Sequence, residues 1–434
     1  MPPHLDSRLL GLTFGARAQH TATILVSRLV VLGLAVLALA AGPPPQAAPD
    51  ARAQHLHRDA IVLDTHVDTM SEAHSPRWRF DVRGSLPSPQ NSDGTSVDLP
   101  RMREGGLDGA FFSVYIAGTV TGPRAVTAAR RQLDALQALV SSHPADLALC
   151  LTAAEVRAAH KAGKIAVLIG IEGGHMINND LAVLSDFARR GARYLTLTHM
   201  VNTDWADSSG EKPAHNGLTA FGRQVIRELN RLGVMVDVSH VSDKTFWDVL
   251  EVSQSPVIAS HSSCRALCGH PRNMTDEMIR ALAAKGGTIQ INFHEVFLDQ
   301  ELYLKAQALE PELVRMRRDA NERFPRPEDA QERAEAMRNI DIRERSIGTA
   351  SWEKIIDHID HAVRLVGSEH VGLGSDFDGA FMPTGMEDCT MLPKITAALL
   401  ARGYSEKDVR NILGENVLRV MRANENVAKR PQTE

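Results

Sequence analysis

Eight short apolar runs, alternating with longer segments of helical periodicity, constrain the fold of this chain more than any other feature. The runs are Ala60–Leu63, Ala110–Ile116, Ile165–Ile171, Tyr194–Leu197, Val234–Val238, Val257–Ala259, Thr288–Ile291 and Val371–Leu373. Most are continuous rather than alternating, as strands covered on both faces are. Between them lie helix candidates. Leu218–Leu232 carries Leu218, Phe221, Val225, Ile226 and Leu229 at a spacing near 3.6 and stops at Gly233. Thr275 opens Met278–Ala284, and Trp352–Val366 ends at Gly367. Strands alternating with helices predict a parallel sheet, and eight such repeats predict an α/β fold of the (β/α)8 TIM-like barrel kind. The 434 residues suffice for one large barrel.

The polar residues fall where such a barrel needs them. Asp64-Thr65-His66-Val67-Asp68 ends the first run, Glu172-Gly173-Gly174-His175 the third and Thr198-His199 the fourth. Ser239-His240 ends the fifth, Ser260-His261 the sixth and Ser375-Asp376-Phe377-Asp378 the eighth. Parallel barrel strands present their C-terminal ends on one face, and that face carries the chemistry. These side chains are therefore expected to converge.

Other features narrow the function. A net charge of −5 and 5% aromatic residues argue against a nucleic-acid partner. Arg8, Arg17 and Arg28 precede the apolar run Leu29–Ala41, which is followed by small residues and Pro43–Pro45. That is the pattern of a secretory signal, so residues 1–45 read as signal peptide and linker, and the mature protein is expected to be exported, periplasmic or secreted. The run falls short of the roughly 20 residues of a spanning helix, though an uncleaved segment would associate the chain with a membrane. Cys150, Cys264, Cys268 and Cys389 form no CxxC pair, and buried thiols account for them as well as disulfides do. Residues 299–345 are densely charged and read as a helical insertion before the last strand, either a lid over the active face or a surface excursion. The barrel is expected over residues 55–425, followed by a polar tail at 426–434. A homodimer is left open.

The strand-end residues suggest a metal centre. His66-x-Asp68 has a period of two, which sends both side chains from one face of a strand end. Glu172 follows an apolar run, where an unpaired carboxylate would be costly to bury, so a cation is expected. His240 and His261 each follow an apolar run and a serine. Imidazoles mixed with carboxylates suit zinc, whereas an all-oxygen set would suit magnesium or calcium. These five residues exceed what one catalytic zinc with an open position takes, and they fit two ions sharing Glu172.

Longer motifs surround these residues: DTHVDT at Asp64–Thr69, IEGGH at Ile171–His175 and YLTLTHMVNTDWAD at Tyr194–Asp207. DVSH at Asp237–His240, SHSSCRALCGHPRN at Ser260–Asn273 and VGLGSDFDG at Val371–Gly379 continue the series. In this order and spacing the chain resembles the membrane dipeptidase (renal dipeptidase) family of the metal-dependent amidohydrolase superfamily. The resemblance implies a (β/α)8 barrel with two zinc ions that hydrolyses dipeptides by a metal-bridging hydroxide. It implies that His66, Asp68 and Glu172 hold one zinc, and that Glu172, His240 and His261 hold the other. It assigns His199 to substrate contact, Arg272 to the substrate carboxylate and Asp376 to catalysis.

Three departures from the mammalian pattern stand out. A hydrophobic C-terminal anchor signal is missing, so no glycolipid anchor is expected. The 299–345 segment looks enlarged. Cys268 has no partner about thirty residues on, so the mammalian disulfide is not carried over. Asp357-His358-Ile359-Asp360-His361 imitates a metal cluster but lies mid-helix, which favours a structural role. Alternative readings are a lactonase, a deaminase or a non-catalytic binding protein on the same barrel. No lysine stands at the fourth strand end to bridge metals, and the first strand carries HxD rather than a deaminase HxH. Neither a ligand nor Asp376 is missing, as a silent protein would allow.

Overall fold

In the computed structural model, residues 51–70, 78–87, 94–325 and 330–429 are described. The export-signal reading falls on residues 1–45 and lies outside them. The strands are β1 (Leu63–Val67), β2 (Gly109–Tyr115), β3 (Leu147–Leu149), β4 (Ile165–Glu172), β5 (Ala192–Thr196), β6 (Met235–Asp237), β7 (Ile258–Ala259), β8 (Thr288–Ile291) and β9 (Val371–Leu373). They pair in the order β1-β2-β4-β5-β6-β7-β8-β9, all in parallel, with β3 lying off this path against β4. A parallel bridge between Val67 and Phe377 joins the last strand region to the first. There the Asp68 amide donates to the Phe377 carbonyl at 2.8 Å, and the Asp376 amide to the His66 carbonyl at 3.0 Å. The molecule is a TIM-like α/β barrel.

Two sequence expectations need correction. The first strand is Leu63–Val67, not Ala60–Leu63. Ala60–Val62 instead link it to the helix Ala51–Asp59, and the Val62 amide is taken by the Asp108 carboxylate. So DTHV is itself strand, buried at every position. The short β3 went unrecognised, because three residues outside the closed ladder leave little pattern.

Helix ends follow local chemistry. Thr219 accepts from the Gly222 amide to open Ala220–Leu232, and Gly233 closes it at φ 70°, a conformation glycine adopts without cost. Thr275 caps Asp276–Ala284 in the same way.

Inside the barrel, Leu63, Phe111, Leu168, Tyr194, Met235 and Ile258 pack together, and helix Asn416–Ala428 closes that end with Val417, Leu418, Val420 and Met421. The neighbouring strand positions, among them Phe112, Val167, Ile169, Leu195 and Val236, pack against the helical layer. Two residues beyond the inner apolar layer the same strand faces turn polar, at Ser113, Thr196 and finally Glu172. The charged segment forms helices Gln300–Arg323 and Ala330–Arg345. They pack on each other through Leu309, Leu313 and Ile340, with an Arg343–Glu312 ion pair alongside.

Candidate metal centre

Glu172, the last residue of β4, is the hub. Its Oε1 lies 3.1 Å from His240 Nε2, 3.3 Å from His261 Nε2, 3.5 Å from His66 Nε2 and 3.9 Å from His199 Nε2. His66 Nε2 also lies 3.3 Å from Asp68 Oδ2 and 4.0 Å from Asp376 Oδ1, and His240 Nε2 stands 2.9 Å from His261 Nε2. Seven donors from six strand ends thus meet at one point. The tightest groupings are His66, Glu172 and His261; Glu172, His199 and His240; and His66, Asp68 and Asp376. They cut across the two ligand sets that the family resemblance implies and draw His199 and Asp376 into the same cluster.

This donor set fits a cation. His66, Asp68, Glu172, His240 and His261 are buried, His199 and Asp376 are half-buried, and His66 Nε2 has no hydrogen-bond partner. Three carboxylates and several imidazole lone pairs converging at a largely buried point would repel one another unless a positive charge sat among them. Burial works against the Glu172 charge, yet His66 and His199 beside it hold its carboxyl well below the usual range. Burial pushes the Asp68 carboxyl up to about 7 despite His66.

The surrounding hydrogen bonds orient the donors. Tyr194 Oη meets His66 Nδ1 at 2.7 Å, Ser260 Oγ meets His261 Nδ1 at 2.7 Å, and Ser113 Oγ donates to Glu172 Oε2 at 3.2 Å. Gly170 makes room for the tyrosine, since a Cβ there would sit 2.0 Å from Tyr194 Cζ. Asn292, just past β8, donates to Asp376 Oδ2 at 2.9 Å. Two of the donors hold left-handed backbones that side chains rarely adopt, His240 at φ 68° and Asp376 at φ 67°. The His240 strain is held by its carbonyl, which accepts from the Ser209 amide and from the Thr198, Ser208 and Ser209 hydroxyls.

A cavity of about 750 Å³ opens over the cluster. Asp68, Tyr115, Glu172, His199, His240 and Asp376 form its floor, and Arg272, His270, His294 and Phe297 one wall. Tyr303, Gln307, Glu310, Arg317 and Glu344 of the charged helical pair line it too, so that segment borders the active face. Arg272 is only 4% exposed. Its Nη2 donates to the His261 carbonyl at 3.1 Å, while Nε and Nη1 have no partner. Among the described residues no carboxylate pairs with it, and burial lowers its pKa to about 10. A buried guanidinium with two idle donors at a cavity wall is a site for an anion.

Of the residues assigned to the site from the sequence, Asp68, Glu172, His199, His240, Arg272 and Asp376 line this cavity, while His66 and His261 are fully buried against Glu172. The mid-helix decoy does neither. His358 takes the Cys264 amide on Nδ1 and meets the Leu298 carbonyl through Nε2, and His361 pairs with Asp276. Asp378 accepts from Thr69 Oγ1 and the Ser96 amide and so braces the loop. All four cysteines are buried free thiols. Sequence reasoning missed Ser113, Tyr115, Tyr194 and Asn292. Their signal was the period-two inward register of β2 and β5 and the polar residue after β8.

A barrel with a buried His/carboxylate cluster at its strand ends and an open cavity above defines a metal-dependent hydrolase. A family model for membrane dipeptidases (peptidase family M19) matches residues 50–434, and the chain belongs to that family. It is 33% identical over 395 residues to dipeptidase verJ of Clonostachys rogersoniana, covering 87% of each chain. It is similar to the crystal structure of the probable dipeptidase PvdM from Pseudomonas aeruginosa, with a TM-score of 0.69, 27% identity, and 87% of this chain and 98% of that one covered. It is also similar to a metallopeptidase from Rhodobacter sphaeroides liganded with a phosphinate mimic of the dipeptide L-Ala-D-Ala. There the TM-score is 0.67 and the identity 28%, over 84% of this chain and 100% of that one. The protein is a metallo-dipeptidase.

Proposed function

We propose that the cluster holds two zinc ions sharing the Glu172 carboxylate, with His66 and Asp68 on one and His240 and His261 on the other. The mixed imidazole and carboxylate set supports zinc, and the number of converging donors supports two ions. When bound, the ions would supply Lewis acidity and a water ionised at neutral pH. The chain's own residues do the rest. Asp376, oriented by Asn292, takes a proton from the attacking water and returns it to the leaving amine. His199, at the cavity floor beside Glu172, donates to the developing oxyanion. Arg272 takes the free α-carboxylate with its guanidinium charge, with which no carboxylate of the described residues pairs. Residues 1–45 act as an export signal, which puts this activity outside the cytoplasm. The helices Gln300–Arg323 and Ala330–Arg345 act as the outer wall of the substrate pocket.

One observation carries the substrate class: the unpaired, buried Arg272 in the cavity that contains the metal cluster. The phosphinate dipeptide mimic bound by the Rhodobacter relative supports the same class. The test joins metal analysis of purified protein with hydrolysis of dipeptides and their C-terminal amides. Two metals per chain and a strong preference for the free acid are expected. Full activity with one tightly bound metal, or equal cleavage of acid and amide, would overturn the reading.

A further inference from the structure

His270 sits beside Arg272 in the same wall, and its chemistry is fixed by the fold. The Arg272 backbone amide donates to His270 Nδ1 at 3.1 Å. An amide can only donate, so Nδ1 is the acceptor, and in the neutral ring the proton is on Nε2. The ring packs against Phe297, at 4.4 Å between centroids, and Tyr303, at 4.8 Å. Phe297 also lies under the Arg272 guanidinium, 5.4 Å from Cζ to centroid, so one aromatic ring supports both groups. His270 lines the cavity. Its Nε2 is not among the sealed atoms that lack a partner, as Arg272 Nε and Nη1 are.

We propose that His270 Nε2–H is a second, uncharged donor to the substrate's terminal carboxylate, set by the backbone of the arginine that supplies the charge. The proposal rests on the dipeptidase reading and deepens it by assigning the carboxylate two unlike partners. A neutral donor suits the place. Burial and the adjacent Arg272 charge hold the His270 pKa down to about 3, so the ring does not compete with the guanidinium for a counter-ion. The arrangement also links loop geometry to recognition. Moving the ring would release the Arg272 amide, so the two donors keep a fixed separation.

The test measures binding to the metal-loaded enzyme by calorimetry, with a phosphinate dipeptide mimic bearing a free carboxylate and its C-terminal amide as probes. His270→Phe keeps a ring against Phe297 and Tyr303 but has no donor. Its affinity for the acid should fall about ten- to a hundredfold while affinity for the amide holds. His270→Gln, which can return an N–H to the Nε2 position, should recover part of the loss. An equal fall for acid and amide would reduce His270 to a prop for the loop, and an unchanged preference would remove it from recognition; either overturns the proposal while leaving Arg272 in place. Equal affinity of the native enzyme for acid and amide would overturn the carboxylate reading at Arg272 and this proposal with it.

Discussion

Replacing Tyr194 by phenylalanine isolates what the barrel interior contributes to the metal centre. The hydroxyl meets His66 Nδ1 at 2.7 Å, and both residues are fully buried. For Nε2 to offer its lone pair to a metal, the ring proton must be on Nδ1, and the tyrosine oxygen accepts it there. In Tyr194→Phe that acceptor is lost at a fully buried position. The metal-free ring then changes tautomer and turns an Nε2 proton towards Asp68 and Glu172, which lie 3.3 and 3.5 Å away. Binding a metal requires the proton to return to Nδ1, where it would be buried and unpaired at a cost of about 1–3 kcal/mol. Every 1.4 kcal/mol is about tenfold in affinity, so a loss of roughly ten- to a hundredfold follows, in line with other hydrogen-bonded partners of metal ligands. The ring itself remains, stacked on Phe111 at 5.2 Å between centroids and seated over Gly170. Chelator competition should therefore show weakened metal binding, while thermal unfolding of the metal-free protein changes little. Native metal affinity in the variant, or a metal-free protein destabilised as much as the metal-loaded one, would refute the tautomer argument.

Four further outcomes are expected. Asp376→Asn should abolish turnover while retaining metal; near-native kcat would exclude Asp376 as the proton carrier. His199→Ala should lower kcat by about 10²–10³ with intact metal content, the usual cost of losing an oxyanion donor, whereas unchanged kinetics would make it structural. Gly379→Ala would put a Cβ 2.0 Å from Asp68 Oδ2 and 2.7 Å from Asp376 Oδ1, so metal affinity and kcat should fall together; a variant with native metal content and rate would show that the loop yields. Arg272→Lys should narrow the preference for dipeptides over their amides without changing metal content, because an ammonium cannot reproduce the planar fork; an unaltered preference would remove Arg272 from the carboxylate.

Much of the barrel was legible because its strands are buried on both faces. Ile165–Glu172 is apolar until its last residue, and that abrupt change marks both the strand end and the hub of the site. The first strand was misplaced for the converse reason. Asp64, Thr65 and His66 are polar yet buried, with Asp64 accepting from the His66 and Ser375 amides and Thr65 donating to the Ser260 and Leu373 carbonyls. A polar residue satisfied by a neighbouring strand has no sign in the local sequence, so a pattern based on hydrophobicity shifts such a strand towards its apolar flank. The extent of the charged helical pair was visible from its composition. Its face was not, since the choice between lid and excursion depends on where Tyr303, Arg317 and Glu344 point.

The candidate ligands were easier to pick out than the groups that orient them, and the reason is energetic. A carboxylate or imidazole at the end of an apolar strand is costly unless something pairs with it, so its presence alone signals a site. Tyr194, Ser113 and Ser260 raise no such alarm, because a tyrosine or serine in a strand is ordinary. Their importance comes from register. Gly170 is opposite Tyr194 in the β4–β5 ladder, and the missing side chain lets the ring cross to His66 on β1. That pairing joins the consecutive strands β4 and β5 to the distant β1, and neither residue predicts it alone. The same holds for the wall above, where the tautomer of His270 is set by an amide two residues on. In this site the atoms that accept or donate charge are written in residue types, while the proton positions that make them useful are written in the folded backbone.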